Sequence, residues 1–251
     1  MLNIPRIRFR QGDQAIPDVK QAQISSPFRG FPRLNDGVCR RCGECVQHCP
    51  THAISLDPLR LDLGRCVFCG DCQALCPRQA IEFTTFFKLS SDRREQLVIA
   101  SGINESDYEK AAFRARSEIH RLFGRSLKLR QVSAAGCNGC EMELNACSNV
   151  NFDMGRFGID IVASPRHADG ILITGPISEN MAAALEDAYQ NTPEPRVIIL
   201  AGSCAISGGV FEGSPALNRD FLDRYPIDLF IPGCPVHPLT CVNGILSFLQ
   251  R

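Results

Sequence analysis

The sequence predicts two domains in series: a small α+β domain built on a repeated cysteine loop, then an α/β domain with a mainly parallel sheet. Two observations lead to this prediction. Residues 39–76 contain the same spacing of four cysteines twice. From Leu127 onward, short apolar runs alternate with helical stretches, which is the pattern of successive βαβ units.

Length and composition limit the classes of protein that need to be considered. The 251 residues suffice for one large or two small domains, and a hydrophobic content of 44% is enough for a core. The 27 basic and 27 acidic residues balance, so charge gives no indication of nucleic acid as a partner. No apolar run approaches ~18 residues, and we expect no membrane-spanning segment. The first ten residues resemble no secretion signal, so the 14 cysteines are interpreted as metal ligands in a reducing compartment.

The repeated cysteine loop is the most specific feature of the chain. Each copy reads Cys-x-x-Cys-x-x-Cys-x-x-x-Cys-Pro, and the second copy follows the first at an offset of 27 residues. At the same offset, Ala53-Ile54 corresponds to Ala80-Ile81. A stretch repeated this closely is one supersecondary unit used twice. The thiols of the two copies are Cys39, Cys42, Cys45 and Cys49, and Cys66, Cys69, Cys72 and Cys76.

This spacing suits two iron–sulfur cubes. One tight loop can supply three of the four thiolates that a cube needs, and in this motif the fourth comes from the other loop, because a helix leads the chain away after the third. Structural zinc on Cys-x-x-Cys pairs is the alternative, but zinc does not require this pattern twice. The expected ligands are Cys39, Cys42, Cys45 and Cys76 for cluster 1, and Cys66, Cys69, Cys72 and Cys49 for cluster 2.

Residues 36–84 resemble the dicluster bacterial ferredoxins, which implies a ferredoxin-like domain over residues 36–87 with two [4Fe–4S] clusters. A second motif in this stretch, Arg40-Arg41-Cys42-Gly43-Glu44-Cys45, resembles the first nickel-binding motif of [NiFe] hydrogenase large subunits. That family also has a second cysteine pair near its C-terminus, and the last residues of this sequence contain none. A nickel site on this chain is therefore not expected.

The flanking segments are less regular. Residues 1–35 contain four prolines and are expected to form an N-terminal arm, either flexible or laid as a strap over a partner subunit. Residues 88–126 are expected to form a linker with an amphipathic helix that begins at Ser106 and ends at Gly124. This helix would pack on a domain or a partner, with a membrane surface as the alternative. Its apolar positions are Tyr108, Ala111, Ala112, Ala115, Ile119, Leu122 and Phe123.

Residues 127–251 are expected to form a flavodoxin-like, doubly wound domain. Helices are predicted over Ser178–Tyr189 and Pro238–Leu249. Neither a phosphate-binding loop nor a G-x-G-x-x-G motif follows a strand, so a nucleotide or flavin site is not supported. The predicted strands are Leu127–Val132, Ile159–Ala163, Ile171–Thr174, Val197–Ala201 and Leu229–Ile231.

Four further thiols follow predicted strands of this domain. In such sheets the loops after the strands meet at one edge, so these thiols are expected to converge on a third cube. Glycine or proline beside each thiol would let the backbone approach closely. The expected ligands are Cys137, Cys140, Cys204 and Cys234. Cys147 and Cys241 are interpreted as core residues, with Cys147 in place of Cys140 as the main alternative.

The C-terminal half resembles the small subunit of membrane-bound, energy-converting [NiFe] hydrogenases, and the related complex I subunit that holds the cluster next to the quinone. The complex I relative typically has two adjacent cysteines at the first ligand position, so Cys137-Asn138-Gly139-Cys140 matches the hydrogenase branch. The whole chain resembles a fusion of two subunits of such complexes. The motifs are Gly136–Glu143, Arg156–Ile159, Ser164–Asp169, Gly202–Cys204 and Pro232–Pro235.

The resemblance implies an electron-transfer subunit with three [4Fe–4S] clusters and no catalytic centre of its own. The implied partners are a [NiFe] hydrogenase-like large subunit, membrane subunits, and a formate or CO dehydrogenase module, at the cytoplasmic side of the inner membrane. Three alternatives stay open: a subunit of a complex I-like quinone reductase, a nickel-free relative, and a soluble polyferredoxin carrier. Glu141 and Glu143 are candidate proton carriers or helix-start carboxylates, and His167 and His237 are candidates for positions near the third cluster.

Overall fold

The computed structural model describes residues 4–12, 14–114 and 117–251, without the side chain of Ser117. The strands are β1 (Pro32–Leu34), β2 (Ile54–Leu56), β3 (Leu59–Asp62), β4 (Ile81–Phe83), β5 (Val98–Ala100), β6 (Leu127–Ser133), β7 (Ile159–Ile161), β8 (Gly170–Thr174), β9 (Val197–Ala201) and β10 (Leu229–Ile231). The helices are α1 (Ile4–Gln11), α2 (Glu44–Gln47), α3 (Asp71–Leu75), α4 (Glu105–Ala111), α5 (Ser117–Phe123), α6 (Gly139–Cys147), α7 (Glu179–Gln190), α8 (Ser203–Ser207), α9 (Asp220–Arg224) and α10 (Pro238–Phe248).

The sequence repeat is also a repeat of backbone conformation. Gly43 and Gly70 hold the same place in the two loops, both at φ 85°, directly before α2 and α3. Arg41 and Phe68, which also correspond, both lie at φ 55°. Left-handed conformations are unfavourable for residues other than glycine, so their recurrence at matching positions indicates that both loops must make the same turn.

Two small antiparallel sheets form the rest of the first domain. The predicted hairpin is present as β2 and β3, and β5 joins it alongside β3. The other sheet pairs β1 with β4. The sequence predicts neither β1 nor β5, which lie in the expected arm and linker. Each is three residues long, too short for the alternation of apolar and polar residues to be distinctive.

The linker helix differs from its prediction. The structure has α4 and α5 where the sequence predicts one helix, and α4 begins one residue before Ser106. The N-cap is Asn104, whose side chain accepts a hydrogen bond from the backbone N–H of Asp107 at 2.9 Å. Ala115, predicted to lie on this helix, falls outside the described residues, as do residues 1–3 and 13 of the expected arm.

The five predicted strands of the C-terminal half are confirmed as one parallel sheet. Its order is β10-β9-β8-β6-β7, which in order of appearance is the flavodoxin-like arrangement 2-1-3-4-5. Successive residues of a strand face opposite sides. Thus Ile171 and Ile173 join the core on one face, and Leu172 joins the core that contains α10 on the other. The fold class predicted from sequence is therefore confirmed.

The two halves share one hydrophobic core rather than touching as separate bodies. One cluster of buried residues runs from Leu61 and Ile81 of the first domain through Tyr108 to Ile171 and Phe230 of the parallel sheet. Residues after the first domain also pair with the edge of that sheet, through backbone hydrogen bonds between Ser91 and Phe230 of 3.0 and 2.9 Å. This pairing covers the edge strand.

The segment expected as an arm lies on the chain's own C-terminal half. Val19 is 1% exposed, and its carbonyl accepts a hydrogen bond of 2.8 Å from Asn243 on α10. The backbone of Ile16 pairs with Asn151 at 2.8 Å. The segment that the sequence predicted to be flexible or to lie over a partner subunit therefore packs on this chain itself. Separately, within the described ranges no helix has the length and apolar content needed to cross a bilayer.

The burial of β4 gives a stability prediction with a matched control. Ile81 is 1% exposed, whereas Ile161 on the edge strand β7 is 37% exposed. Ile81→Ala should lower the free energy of unfolding by about 2–5 kcal/mol, because it leaves a cavity in the shared core. Ile161→Ala should cost about 1 kcal/mol or less. Thermal unfolding of the anaerobically purified full chain measures both, and an equal loss would contradict the shared core.

Candidate metal centres

The first quartet consists of Cys39, Cys42, Cys45 and Cys76. All four thiols line one recess of about 400 Å³, counting the part open to solvent. Three come from the first cysteine loop and the fourth from the end of the second, which is the crossed arrangement expected from the sequence. Leu56, Leu59 and Ile81 line the same recess and give it an apolar wall.

The second quartet consists of Cys49, Cys66, Cys69 and Cys72. These thiols line a separate recess of about 320 Å³ together with Leu61 and Phe83. The crossing is reciprocal, since Cys49 belongs to the first loop. Burial, together with the neighbouring thiolates of Cys69, Cys49 and Cys45, raises the pKa of Cys72 to about 12. Cys45 belongs to the first quartet, so the two quartets are neighbours.

Backbone amides point at the sulfurs in both loops. The N–H of Ala53 donates to Cys49 Sγ at 3.2 Å. The corresponding hydrogen bond in the second copy of the repeat, from the N–H of Ala80 to Cys76 Sγ, is also 3.2 Å long. The N–H of Phe68 donates to Cys66 Sγ at 3.3 Å. Such hydrogen bonds stabilise thiolate character, which ligation of iron requires.

The third quartet consists of Cys137, Cys140, Cys204 and Cys234. The loops that carry it follow β6, β9 and β10 at the carboxyl edge of the parallel sheet. Burial, together with the neighbouring thiolates of Cys234 and Cys137, raises the pKa of Cys204 to about 11. Burial also raises the pKa of Cys140 to about 12, with Cys204 and Cys234 among the nearby charges. The four thiols are therefore close neighbours.

Glycine makes this convergence possible. A Cβ atom on Gly202 would lie 2.6 Å from Cys140 Sγ, which is too close for any side chain, and Gly202 has φ +97°. The neighbouring loop has a similar contact, since a Cβ on Gly209 would lie 3.0 Å from Cys204 Sγ. The prediction that glycines beside these thiols allow a close backbone approach agrees with the geometry at Gly202.

The two remaining thiols lie in the core. Cys147 on α6 is 0% exposed and donates to the carbonyl of Pro238 at 3.9 Å. Cys241 on α10 is 1% exposed and hydrogen bonds to Cys147. Within residues 4–12, 14–114 and 117–251, no three His, Cys, Asp or Glu side chains are grouped to hold a single metal ion. The first and second quartets instead line wider recesses, of the kind that a polynuclear cluster requires.

The carboxylates near the third quartet have different surroundings. Glu141 is 8% exposed and accepts hydrogen bonds from Ser133 Oγ at 2.7 Å and Thr174 Oγ1 at 2.6 Å. Glu143 lines a recess with Cys234 and His237, and burial raises its pKa. Glu141 is thus held in place inside the domain, while Glu143 borders open space.

The histidines beside the cysteine loops have different surroundings. Burial lowers the pKa of His237, whose Nδ1 accepts the backbone N–H of Leu239 at 3.2 Å and so caps α10. His167 is exposed in the turn after β7, and His48 and His52 are exposed beside the first loop.

The second cysteine loop contacts the third quartet directly. The hydroxyl of Ser203 donates to the carbonyl oxygen of Cys66 at 2.6 Å, and Ser203 is the residue before Cys204. Beside this bond, Arg65 forms a two-point ion pair with Glu212 at 2.8 and 2.7 Å. Phe68 and Cys234 also line one recess. The second quartet, rather than the first, therefore faces the third.

Sequence reasoning did not find Ser203, Arg65 or Arg219. Arg219 donates hydrogen bonds to the carbonyl oxygens of Cys204, Ala205 and Ile206 at 3.2, 2.9 and 3.0 Å. Serine and arginine are common on protein surfaces, and no spacing marks these residues as special. Only the docking of residues far apart in sequence reveals them.

Two family models match the chain. Residues 137–248 match the family described as NADH ubiquinone oxidoreductase, 20 kDa subunit, and residues 38–80 match the 4Fe-4S dicluster domain. The first match includes all four thiols of the third quartet, and the second includes all eight of the other quartets.

Named relatives agree with these families. A probable membrane-bound hydrogenase subunit from Pyrococcus furiosus is 38% identical over 136 residues, covering 54% of this chain and 81% of that protein. Formate hydrogenlyase subunit 7 from Escherichia coli is 40% identical over 134 residues, covering 53% of this chain and 52% of that protein. A subunit of the NADH-quinone oxidoreductase from Clostridium beijerinckii is 37% identical over 113 residues, covering 45% of this chain and 67% of that protein.

A solved structure is also similar. It is titled as the membrane-bound sulfane sulfur reductase, an archaeal respiratory membrane complex. The similar chain is 30% identical, with a TM-score of 0.45, over 52% of this chain and 72% of that chain.

Gly202 allows a prediction in which steric contact adds to backbone strain, since its φ of 97° and ψ of 153° suit glycine almost alone. Gly213 has φ +78°, but a Cβ atom added there would have nothing within 4 Å, so it serves as the control. Gly213→Ala should cost about 1–2 kcal/mol of stability from its left-handed backbone alone. Gly202→Ala should cost clearly more, because the new methyl group must displace the Cys140 sulfur and because the backbone conformation of Gly202 is almost restricted to glycine. Thermal unfolding midpoints of the two variants test this, and equal midpoints would show that the Cys140 contact is unimportant.

Proposed function

The chain belongs to the family of the NADH ubiquinone oxidoreductase 20 kDa subunit, and from this premise we propose that it carries electrons through three [4Fe–4S] clusters in a membrane-associated hydrogenase complex. It is a subunit of an oxidoreductase complex, and its dicluster domain supports [4Fe–4S] binding. The number of clusters and the hydrogenase partner are the proposed steps. No catalytic centre is assigned to this chain.

The observation that carries the proposal is the grouping of thiols. Of the 14 cysteines, all but the core pair Cys147 and Cys241 fall into three separate quartets, each drawn from loops that meet across the fold. When bound, each cube would supply one-electron transfer. The chain's own contribution is to hold the thiols, to direct N–H groups at the sulfurs, and to exclude water with apolar walls.

The contacts between the loops support an order for the relay. The first and second quartets are neighbours through Cys45 and Cys72, and the second faces the third through Cys66, Ser203 and Cys204. Electrons would therefore pass between the first and third sites by way of the second. The relative reduction potentials of the three sites set the direction of flow.

A partner would meet the chain at the third quartet. Cys137 and Cys234 are exposed. Met142, two residues after Cys140, is 65% exposed, and Val210 and Phe211, which follow the helix that carries Cys204, are 57% and 39% exposed. Large apolar side chains at this exposure commonly belong to protein interfaces. The proposed partner on this face is a [NiFe] hydrogenase-like large subunit, with membrane subunits and a formate or CO dehydrogenase module elsewhere in a complex at the cytoplasmic side of the inner membrane.

A second candidate is the cluster-bearing subunit of a complex I-like quinone reductase. It is favoured by the relatives named as subunits of NADH-quinone oxidoreductases. The segment Cys137-Asn138-Gly139-Cys140 argues for the hydrogenase branch, because the two thiols of α6 and its preceding loop are separated instead of adjacent. A nickel-free relative with the same fold would differ only in its partner.

Metal analysis of the chain purified anaerobically from its host, with its partners, tests the proposal. Three cubes require roughly twelve iron atoms per chain, in addition to iron in the partners. Nickel together with this iron content is expected. Twelve irons and a large partner without nickel would overturn the hydrogenase assignment and favour the second candidate. About eight irons would overturn the third cluster.

A matched pair of variants tests the third quartet. Cys140→Ala should lower the iron content by about four atoms per chain, because the cube loses a ligand. Cys147→Ala, seven residues further along α6, should leave the iron content unchanged. The reverse result would make Cys147 the ligand in place of Cys140.

The relay order can be tested with a second matched pair, since Cys42 and Cys69 are both exposed and correspond in the repeat. In the fully reduced protein, magnetic coupling to a neighbouring reduced cluster should broaden the electron paramagnetic resonance signal of the third cluster. Cys69→Ala should remove this broadening with the second cluster, and Cys42→Ala should leave it. Loss of broadening only in Cys42→Ala would reverse the order.

A further inference from the structure

Arg219 lies behind the loop that carries Cys204. Its guanidinium donates to three consecutive carbonyl oxygens at the end of α8, those of Cys204, Ala205 and Ile206, at 3.2, 2.9 and 3.0 Å. A fourth bond of 3.0 Å reaches the carbonyl of Pro176, in the loop after β8. One side chain thus joins the loops that follow two neighbouring strands of the parallel sheet.

Among the residues that the structure describes, no carboxylate forms a close ion pair with Arg219. A guanidinium stays protonated in proteins, and this one makes its bonds to neutral carbonyls. Glu212 and Asp223 are the acids whose charges act on it. Glu212 is engaged in the two-point ion pair with Arg65, and Asp223 is exposed to solvent. A half-buried positive charge therefore stands beside one ligand of the third quartet.

We propose that Arg219 is a positioning residue that fixes the Cys204 loop and raises the reduction potential of the cluster held by the third quartet. This inference rests on the proposed function, because it requires a cube at that site. Reduction adds one negative charge to the cluster. A fixed cation nearby stabilises the reduced form, and it does so more strongly in a partly desolvated site than in water.

The same hydrogen bonds give the residue a structural role, so the test must separate charge from anchoring. Arg219→Lys keeps the charge and loses the planar fork. Arg219→Gln loses the charge and keeps an N–H₂ donor for the carbonyls.

Arg196 offers a matched control elsewhere in the domain. Its guanidinium also donates to two backbone carbonyls, those of Tyr189 and Thr192, at 2.8 and 2.6 Å. It precedes β9, whereas Cys204 follows β9, so the two arginines lie at opposite edges of the sheet. Arg196→Gln should cost stability without changing the third cluster.

The experiment is a redox titration of the full chain with its clusters, followed by electron paramagnetic resonance. In Arg219→Gln we expect the equilibrium constant for reduction of the third cluster to fall about tenfold, which is about 59 mV toward negative potential for one electron. Arg219→Lys and Arg196→Gln should keep the wild-type potential. The first and second clusters should keep theirs in all variants.

The outcomes separate the proposed function from the role of Arg219. Wild-type protein with about eight irons and no third signal would overturn the proposed function and this inference with it. A third signal whose potential is unchanged in Arg219→Gln would overturn the inference alone. An equal shift in Arg219→Lys and Arg219→Gln would also overturn it, since the effect would then come from loop anchoring instead of charge.

Discussion

A buried hydrogen bond, from the hydroxyl of Ser203 to the carbonyl oxygen of Cys66, joins the loops of the second and third quartets. Ser203 is 1% exposed, and a buried hydroxyl or carbonyl without a partner costs about 1–3 kcal/mol. The same hydroxyl also lies 3.2 Å from the carbonyl oxygen of Gly233, the residue before Cys234. Because Cys66 belongs to the second quartet and Ser203 adjoins Cys204 of the third, the contact that satisfies the backbone also fixes the separation of the two quartets.

Backbone conformation imposes the second constraint. Thiols can converge only where the chain turns sharply, and the loops do so with left-handed residues. Gly43 and Gly70 make the same turn before α2 and α3, and Gly202 passes within contact distance of Cys140. The first and second quartets draw all their thiols from residues 39–76, with one thiol exchanged between the two loops. The third quartet needs the whole parallel sheet, because its loops are aligned only when β6, β9 and β10 are paired.

This difference explains what the sequence could predict. The two cysteine loops and the five parallel strands were predictable, because repetition and apolar runs are local signals. The flavodoxin-like order follows from the alternation of strands and helices. The single linker helix was wrong, since Asn104 starts α4 earlier and the helix ends at Ala111. Ser203 and Arg219 could not be predicted, because their roles come from contacts with Cys66 and Pro176, which are distant in sequence.

A shared core has a consequence for how electron transfer could be regulated. Between separate subunits, the distance from one cluster to the next would depend on how they dock. Here Gly64 lies so close to Ile206 that a Cβ on Gly64 would stand 2.8 Å from its side chain, and Arg65 and Glu212 are paired beside this contact. The distance between the second and third quartets is therefore set by folding. Because the distance between the quartets is fixed, electron transfer can be adjusted through the reduction potential of each cluster. Reduction potentials respond to local charge. A half-buried arginine placed against the Cys204 loop is the kind of adjustment that such a rigid arrangement leaves available.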